Sequence, residues 1–164
     1  VFVKYPELAG VHGYKSGEGG LLNRLDNETG GLVIFAKTSE AFNYYSNEMQ
    51  NHKIIKSYTA IVAGKTKEPS GIIQDPIAHH AKSTNRMVIV DKKKKHRGNP
   101  QDAETRWQRI DYQNGYSVLD VQITKGVRHQ IRIHLASLGI EEIETVGKAI
   151  SEITSCIGSE EDSD

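Results

Sequence analysis

An α+β fold built around a largely antiparallel sheet is what the 164 residues predict. Three observations lead there. Runs rich in β-branched and aromatic residues fill the middle of the chain, at Tyr58–Gly64, Glu104–Ile110 and Tyr116–Ile123. The last two flank Asn114-Gly115, a favoured two-residue hairpin turn. Helical spacing lies on either side of this block, so the regular alternation of strand and helix that builds a parallel sheet is missing.

Taken in chain order, Val1-Phe2-Val3 reads as the stub of a strand, and Tyr5 to Gly20 as loop, with Gly and charge but no sustained period. Gly31 to Ala36 is apolar and β-branched, as a buried strand would be. Thr38 then suits the N-cap of a helix whose apolar positions Ala41, Phe42, Tyr45 and Met49 fall on one face. After the Tyr58 strand, Arg86–Val90 makes a short strand, and Gly98-Asn99-Pro100 breaks the chain before the hairpin. His129–Leu138 returns to helical spacing, with Ile131, Leu135 and Leu138 on one face and Arg128 and Arg132 stacked at i and i+4. Ile143–Ile157 is expected to form an amphipathic helix, ahead of an acidic tail too polar to pack.

Composition excludes several classes. Lys and Arg total 21 and Asp and Glu total 21, so no global positive field draws in nucleic acid; such binding needs a local patch. Lys92-Lys93-Lys94-Lys95-His96-Arg97 is the one concentrated positive run, expected as a loop able to neutralise phosphates. Lys82, Arg86, Lys125 and Arg128 are candidates to extend it. The lone Cys156 leaves no disulfide framework and no Cys-rich zinc site, and suggests a reducing compartment, hence the cytoplasm. His129 and His134 are five positions apart, off the i, i+4 spacing of two helical ligands, so no metal is expected. No apolar run nears a membrane span, and no signal segment opens the chain, which begins on Val and suits an excerpt of a longer gene product.

The candidate site centres on Leu22-Asn23-Arg24-Leu25-Asp26-Asn27-Glu28-Thr29-Gly30-Gly31-Leu32. Asp26 sits between a charged Arg24 and a small-residue turn, where a short acid can be presented to substrate as nucleophile or base. By residue type alone, an Asp beside Thr-Gly-Gly is more often a turn residue bonding its own backbone. Likewise Tyr58 suits strand packing, and Arg132 suits a solvated helix face.

Three segments in order change that balance. Asn23-Arg24-Leu25-Asp26 with Thr29-Gly30-Gly31-Leu32 resembles the H-R-L-D-x-x-T-S-G-L signature of the RluA-type pseudouridine synthases. Lys56 to Gly64 resembles their K-x-Y-x-A-x-V-x-G strand, and His129 to Ala136 their H-Q-I-R-x-H-L-A segment. With Ala103-x-Thr105, the resemblance spans about residues 24 to 139. It departs at Asn23 for the usual His, Gly30 for Ser, an Arg one place late in Lys125-Gly126-Val127-Arg128, and Ile140 onward, where the family's P-I-x-G-D is absent.

The resemblance implies a synthase-like catalytic domain over 1–140, with an atypical N-terminal part, and a divergent C-terminal helix and acidic tail over 141–164. It implies isomerisation of uridine in rRNA or tRNA to pseudouridine without cofactor or metal, by a monomer acting on RNA with its target uridine flipped out. Asp26 would be the catalytic carboxylate. Tyr58 would stack on the uracil and help remove a proton, and Arg132 would pair with Asp26. Arg24 would fill the gap left by the flipped base, Leu25 and Ile131 would wall the pocket, and Arg128, His129, Gln130 and Lys92 to Lys95 would complete the substrate contacts. The alternative is a catalytically silent RNA-binding protein that keeps the fold.

Overall fold

The computed structural model describes residues 1–26, 29–83, 85–91 and 95–139, and the backbone of 142–144. The first segment is not the expected strand stub. The amides of Lys4 and Tyr5 both donate to the Val1 carbonyl, closing a turn that runs into a 3-10 helix at Pro6–Gly10. Proline inside the first turn loses no bond there, because the first amides of a helix lack partners in any case.

Residues 31–36 also differ from expectation. They are extended, but a single bridge, Leu21 to Phe35, replaces a ladder, and Leu32 and Val33 are exposed. The segment is held by the Leu22 amide on the Ile34 carbonyl, at 2.9 Å, and the Ala36 amide on the Gly20 carbonyl, at 2.8 Å. Asn23 adds a side-chain clamp, donating to the Leu32 carbonyl and accepting from the Ile34 amide at 2.7 Å. Gly20 has φ +76, and a Cβ there would strike the Ala36 carbonyl, so this close approach requires glycine.

Helix α1, Ser39–Gln50, begins as expected with the Thr38 hydroxyl accepting from the Ala41 amide. Its apolar face carries Phe42, with Ala41, Tyr45 and Met49, onto Leu22, Ile34 and Ala36. These residues form a small core of their own at the N-terminal end.

Eight strands among the described residues make two antiparallel sheets. In chain order they are β1 (Lys56–Ala63), β2 (Ser70–Ile73), β3 (Ile77–His80), β4 (Met87–Ile89), β5 (His96–Gln101), β6 (Thr105–Gln113), β7 (Tyr116–Ile123) and β8 (Glu142–Glu144). The larger sheet runs β2-β6-β7-β1-β8 and the smaller β4-β3-β5. The β6–β7 hairpin turns at Asn114-Gly115, both with positive φ, as its sequence requires.

Three expectations fail in the sheets. The presumed break at Gly98-Asn99-Pro100 lies inside β5, as does the His96-Arg97 end of the presumed basic loop. β5 is an edge strand, where proline's missing amide breaks no ladder, and Gly98 at φ +75 sits in an irregular stretch of the pairing with β3. The start of the expected 143–157 helix is instead β8, which adds to the β1 edge; 145–157 lie outside the described residues. Edge pairing to an existing strand overrides the local helical spacing there.

Helix α2, Gln130–Ser137, sits against both sheets. Ile131 and Leu135 enter the core of the larger sheet with Ala60, Val62, Trp107, Leu119 and Val121, and Leu138 packs beside them. Ile133 faces the second cluster of Ile77, Met87, Ala103 and Val127, under the small sheet.

A buried polar chain fastens this helix. The Gln130 amide nitrogen donates to the Glu104 carbonyl and to Thr105 Oγ1, while its oxygen accepts from the Val127 amide. His134, fully buried, lies 2.8 Å from Thr105 Oγ1 through Nδ1 and 2.9 Å from the Asp75 carbonyl through Nε2. A carbonyl only accepts, so Nε2 carries the proton and Nδ1 accepts from the Thr105 hydroxyl, leaving the ring neutral. Both ring nitrogens are thus committed to the protein. No helix among the described residues is long and apolar enough to cross a membrane.

Burial depresses the His134 pKa below the ordinary histidine value of 6.5. As pH falls through that value the unfolded chain binds the proton first, so stability is expected to drop from neutral pH downward until the folded-state value is passed. Urea unfolding at a series of pH values measures this, and a His134→Asn variant should flatten the slope. Thr105→Val should lower stability by about 1–3 kcal/mol, since it strands buried polar atoms of two partners.

Candidate active site

A cleft of about 900 Å³ opens where the N-terminal core meets the larger sheet and α2. The Asn23 clamp fixes the chain just before Asp26, and the Asp26 carbonyl accepts from the Thr29 amide at 2.9 Å. Asp26 thus uses its main chain for this bond, and its carboxylate is left for the cleft. Its side chain is 46% exposed, enough to meet a ligand.

From the other wall comes His129, which ends the β7–α2 connection as the N-cap of α2. Its Nδ1 is 3.2 Å from Asp26 Oδ2, and its Nε2 accepts from Arg128 Nε at 3.3 Å. An arginine only donates, so the neutral ring is protonated on Nδ1 and gives that proton's hydrogen bond to Asp26. The result is a relay, Arg128 to His129 to Asp26, that orients the acid. His129 adopts φ 55, a left-handed conformation costing a side-chain-bearing residue roughly 1–2 kcal/mol. Strain of this kind persists where surrounding structure or function demands it.

Tyr58 reaches the cleft from β1 and Arg132 from the first turns of α2. Burial first, and the Asp26 charge second, push the Tyr58 phenol above its ordinary value. Both causes disfavour phenolate, so at neutral pH Tyr58 is a hydrogen-bond donor and a flat apolar surface. That protonated phenol lines the same cleft as Asp26.

Of the other expected site residues, Leu25, Arg24, Arg128 and Ile131 all line the cleft. Arg24 and Arg128 are exposed at it, whereas Leu25 and Ile131 are wholly or partly buried. Gln130 lines the cleft as well. Only 2% exposed, it spends its amide on Val127, Glu104 and Thr105 and so fastens the helix at the cleft. Lys95 is exposed just before β5, and Lys92, Lys93 and Lys94 lie outside the described residues.

Sequence reasoning did not single out Lys56, Gly126 or Tyr14, which also line the cleft. A signal for Lys56 was present, because it precedes Tyr58 by two and shares its strand face. The Asp26 partnership of His129 had none, since 103 residues separate them.

Comparison with known proteins places these features in context. The family model described as RNA pseudouridylate synthase matches residues 4–137. An uncharacterized RNA pseudouridine synthase of Chloroflexus aurantiacus is 34% identical over 141 residues, covering 85% of this chain and 40% of that protein. Ribosomal large subunit pseudouridine synthase D of Nitrosomonas europaea is 32% identical over 120 residues, covering 73% and 33%. The chain thus spans two-fifths or less of the length of these two relatives. Among solved structures, human RNA Pseudouridylate Synthase Domain Containing 1 superposes with a TM-score of 0.67 at 20% identity, over 75% of this chain and 52% of that one, a likeness of fold.

His129→Gly separates the relay from the scaffold. Glycine adopts the left-handed conformation freely, so stability should hold or rise by up to about 1 kcal/mol while the hydrogen bond to Asp26 is lost. Thermal unfolding and the position of the Asp26 carboxyl resonance in NMR would check the two effects separately.

Proposed function

The chain belongs to the RNA pseudouridylate synthase family, on its RluA-type branch, and from that premise we propose that it converts uridine in RNA to pseudouridine with Asp26 as the catalytic carboxylate. One observation carries the reading. A half-exposed carboxylate, oriented by His129, stands in an open cleft that it shares with Tyr58 and Arg132.

The reaction moves C1′ from N1 to C5 of the same base. The N1–C1′ bond breaks, the ring turns, C5 bonds to C1′, the C5 proton leaves and N1 gains one. No net oxidation occurs and no outside group is transferred, so positioned side chains are sufficient to carry it. Asp26 is placed to act on the sugar or base as nucleophile or base. Tyr58 offers its ring face to the uracil, and Arg132 adds positive charge to the same cleft.

Exposed Arg24 at the cleft suits the space vacated by an extruded nucleotide, because a planar cation can stack where the base was. The small sheet supplies the local positive patch that a neutral chain needs, with Lys82, Arg86, Lys95 and Arg97 all exposed along it. The proposed partner is a structured RNA. Large-subunit rRNA is the first to test, since relatives are named for it, with tRNA second. We further place the protein in the cytoplasm as a monomer.

Release of tritium from RNA labelled at uridine C5 is the direct assay. Asp26→Asn should abolish release, by at least about 10³-fold, while RNA affinity stays within a few-fold. Undiminished release from that variant would sink the catalytic assignment. Arg97→Ala should weaken RNA binding and reduce the slope of log affinity against log salt by about one, measured by filter binding.

A further inference from the structure

Lys56 stands two residues before Tyr58 on the same face of β1 and lines the cleft beside it. The side chain is half-buried, and among the described residues its ammonium has neither an acidic partner nor a hydrogen bond. Gly126, in the β7–α2 connection, closes over it; a Cβ there would lie 3.2 Å from Nζ. A cation taken out of water without a counter-charge is costly, and proteins keep such groups where a ligand supplies the missing negative charge.

We propose that Lys56 is an electrophilic catalytic residue whose ammonium donates a hydrogen bond to a uracil carbonyl oxygen and stabilises the negative charge that the ring acquires when its bond to the sugar breaks. The inference rests on the synthase reading above. When N1–C1′ cleaves, the bonding electron pair stays on N1 and spreads over O2 and O4. The uracil is then an anion held between Tyr58 and a fixed positive charge. After the ring turns, the C5 electrons form the bond to C1′, C5 loses its proton and N1 is protonated. Lys56 begins and ends the cycle as ammonium.

Two features favour the base over a phosphate as its ligand. Arg24 and Arg128 are exposed at the cleft, where a backbone phosphate stays in water, whereas Lys56 is set back beside the ring that receives the base. Gly126 leaves room above Nζ that a side chain would fill. Burial also pulls the Lys56 pKa below the ordinary lysine value, so a charge-dependent role should fade earlier on the alkaline side than a surface lysine would allow. The titratable and charged groups facing the same cleft are Asp26 and Arg24 from the opening turn, Arg128 and His129 from the β7–α2 connection, Arg132 from α2, and Tyr58 from β1 itself. From the N-terminal loop come Glu18 and Tyr14.

The test is single-turnover tritium release from C5-labelled RNA with the full chain, comparing wild type, Lys56→Met, Lys56→Arg and Asp26→Asn over roughly pH 6 to 10, with urea unfolding of each. Lys56→Met should lower the rate by about 10²-fold or more while the dissociation constant for the RNA changes by less than about threefold. Lys56→Arg should restore a large share of the rate, and its profile should lack the alkaline fall seen in wild type, because guanidinium keeps its charge throughout. A Lys56→Met rate near wild type overturns the inference, as does a loss confined to RNA affinity, which would assign the lysine to a phosphate. A wild-type rate that rises with pH and is not recovered by Lys56→Arg also overturns it, in favour of a neutral amine base. Should wild type and Asp26→Asn be equally inert on RNA, the synthase reading itself falls, a result distinct from an active wild type indifferent to Lys56.

Discussion

The contact on which the rest depends is the buried chain from Gln130 through Thr105 to His134 and the Asp75 carbonyl. Helix α2 has eight residues, too few to persist alone, so its placement must come from tertiary contacts. Apolar packing of Ile131 and Leu135 presses it onto the larger sheet but is non-directional. The polar chain fixes its rotation and its height against β6 and the β2–β3 connection. That setting sends His129 and Arg132 to the cleft, and every donor in the chain has its acceptor only while the His134 ring stays neutral.

Within the cleft, charge and neutrality alternate. Asp26 is held by a neutral imidazole that is itself held by an arginine, and the phenol of Tyr58 is kept protonated by burial and by the Asp26 charge. A low-dielectric wall with one oriented acid is suited to chemistry in which charge passes briefly through a substrate ring. The strained backbone of His129 belongs to the same arrangement, since the residue that adopts φ 55 is the one that holds Asp26.

Much of this was legible in the sequence where local chemistry decides structure. The Asn114-Gly115 hairpin, the Thr38 cap, the α2 face of Ile131, Leu135 and Leu138, and the gathering of Asp26, Tyr58 and Arg132 followed from turn type, capping, period and motif order. Illegible features were those settled by neighbours far along the chain. Residues 31–36 have strand composition but find a clamp instead of a ladder, and Pro100 is tolerated in β5 because, among the described residues, no strand lies beyond it. Residues 142–144 take an edge of β1 that their helical spacing does not announce. Gln130 looks like any polar residue beside a histidine until Thr105 and Glu104 are seen to claim it.

Asp26 and its partners belong to different hydrophobic clusters. The acid is carried by the chain anchored at Leu22, Ala36 and Phe42, whereas His129, Tyr58 and Arg132 stand on the cluster of Leu119, Val121 and Leu135. The cleft is therefore a seam, and the 3.2 Å contact between Asp26 and His129 is a stitch across it. Parting along that seam would break the contact between Asp26 and His129. Any ligand that touches both walls of the cleft would therefore bear on two separately packed clusters at once, and so on the distance between the carboxylate and its imidazole.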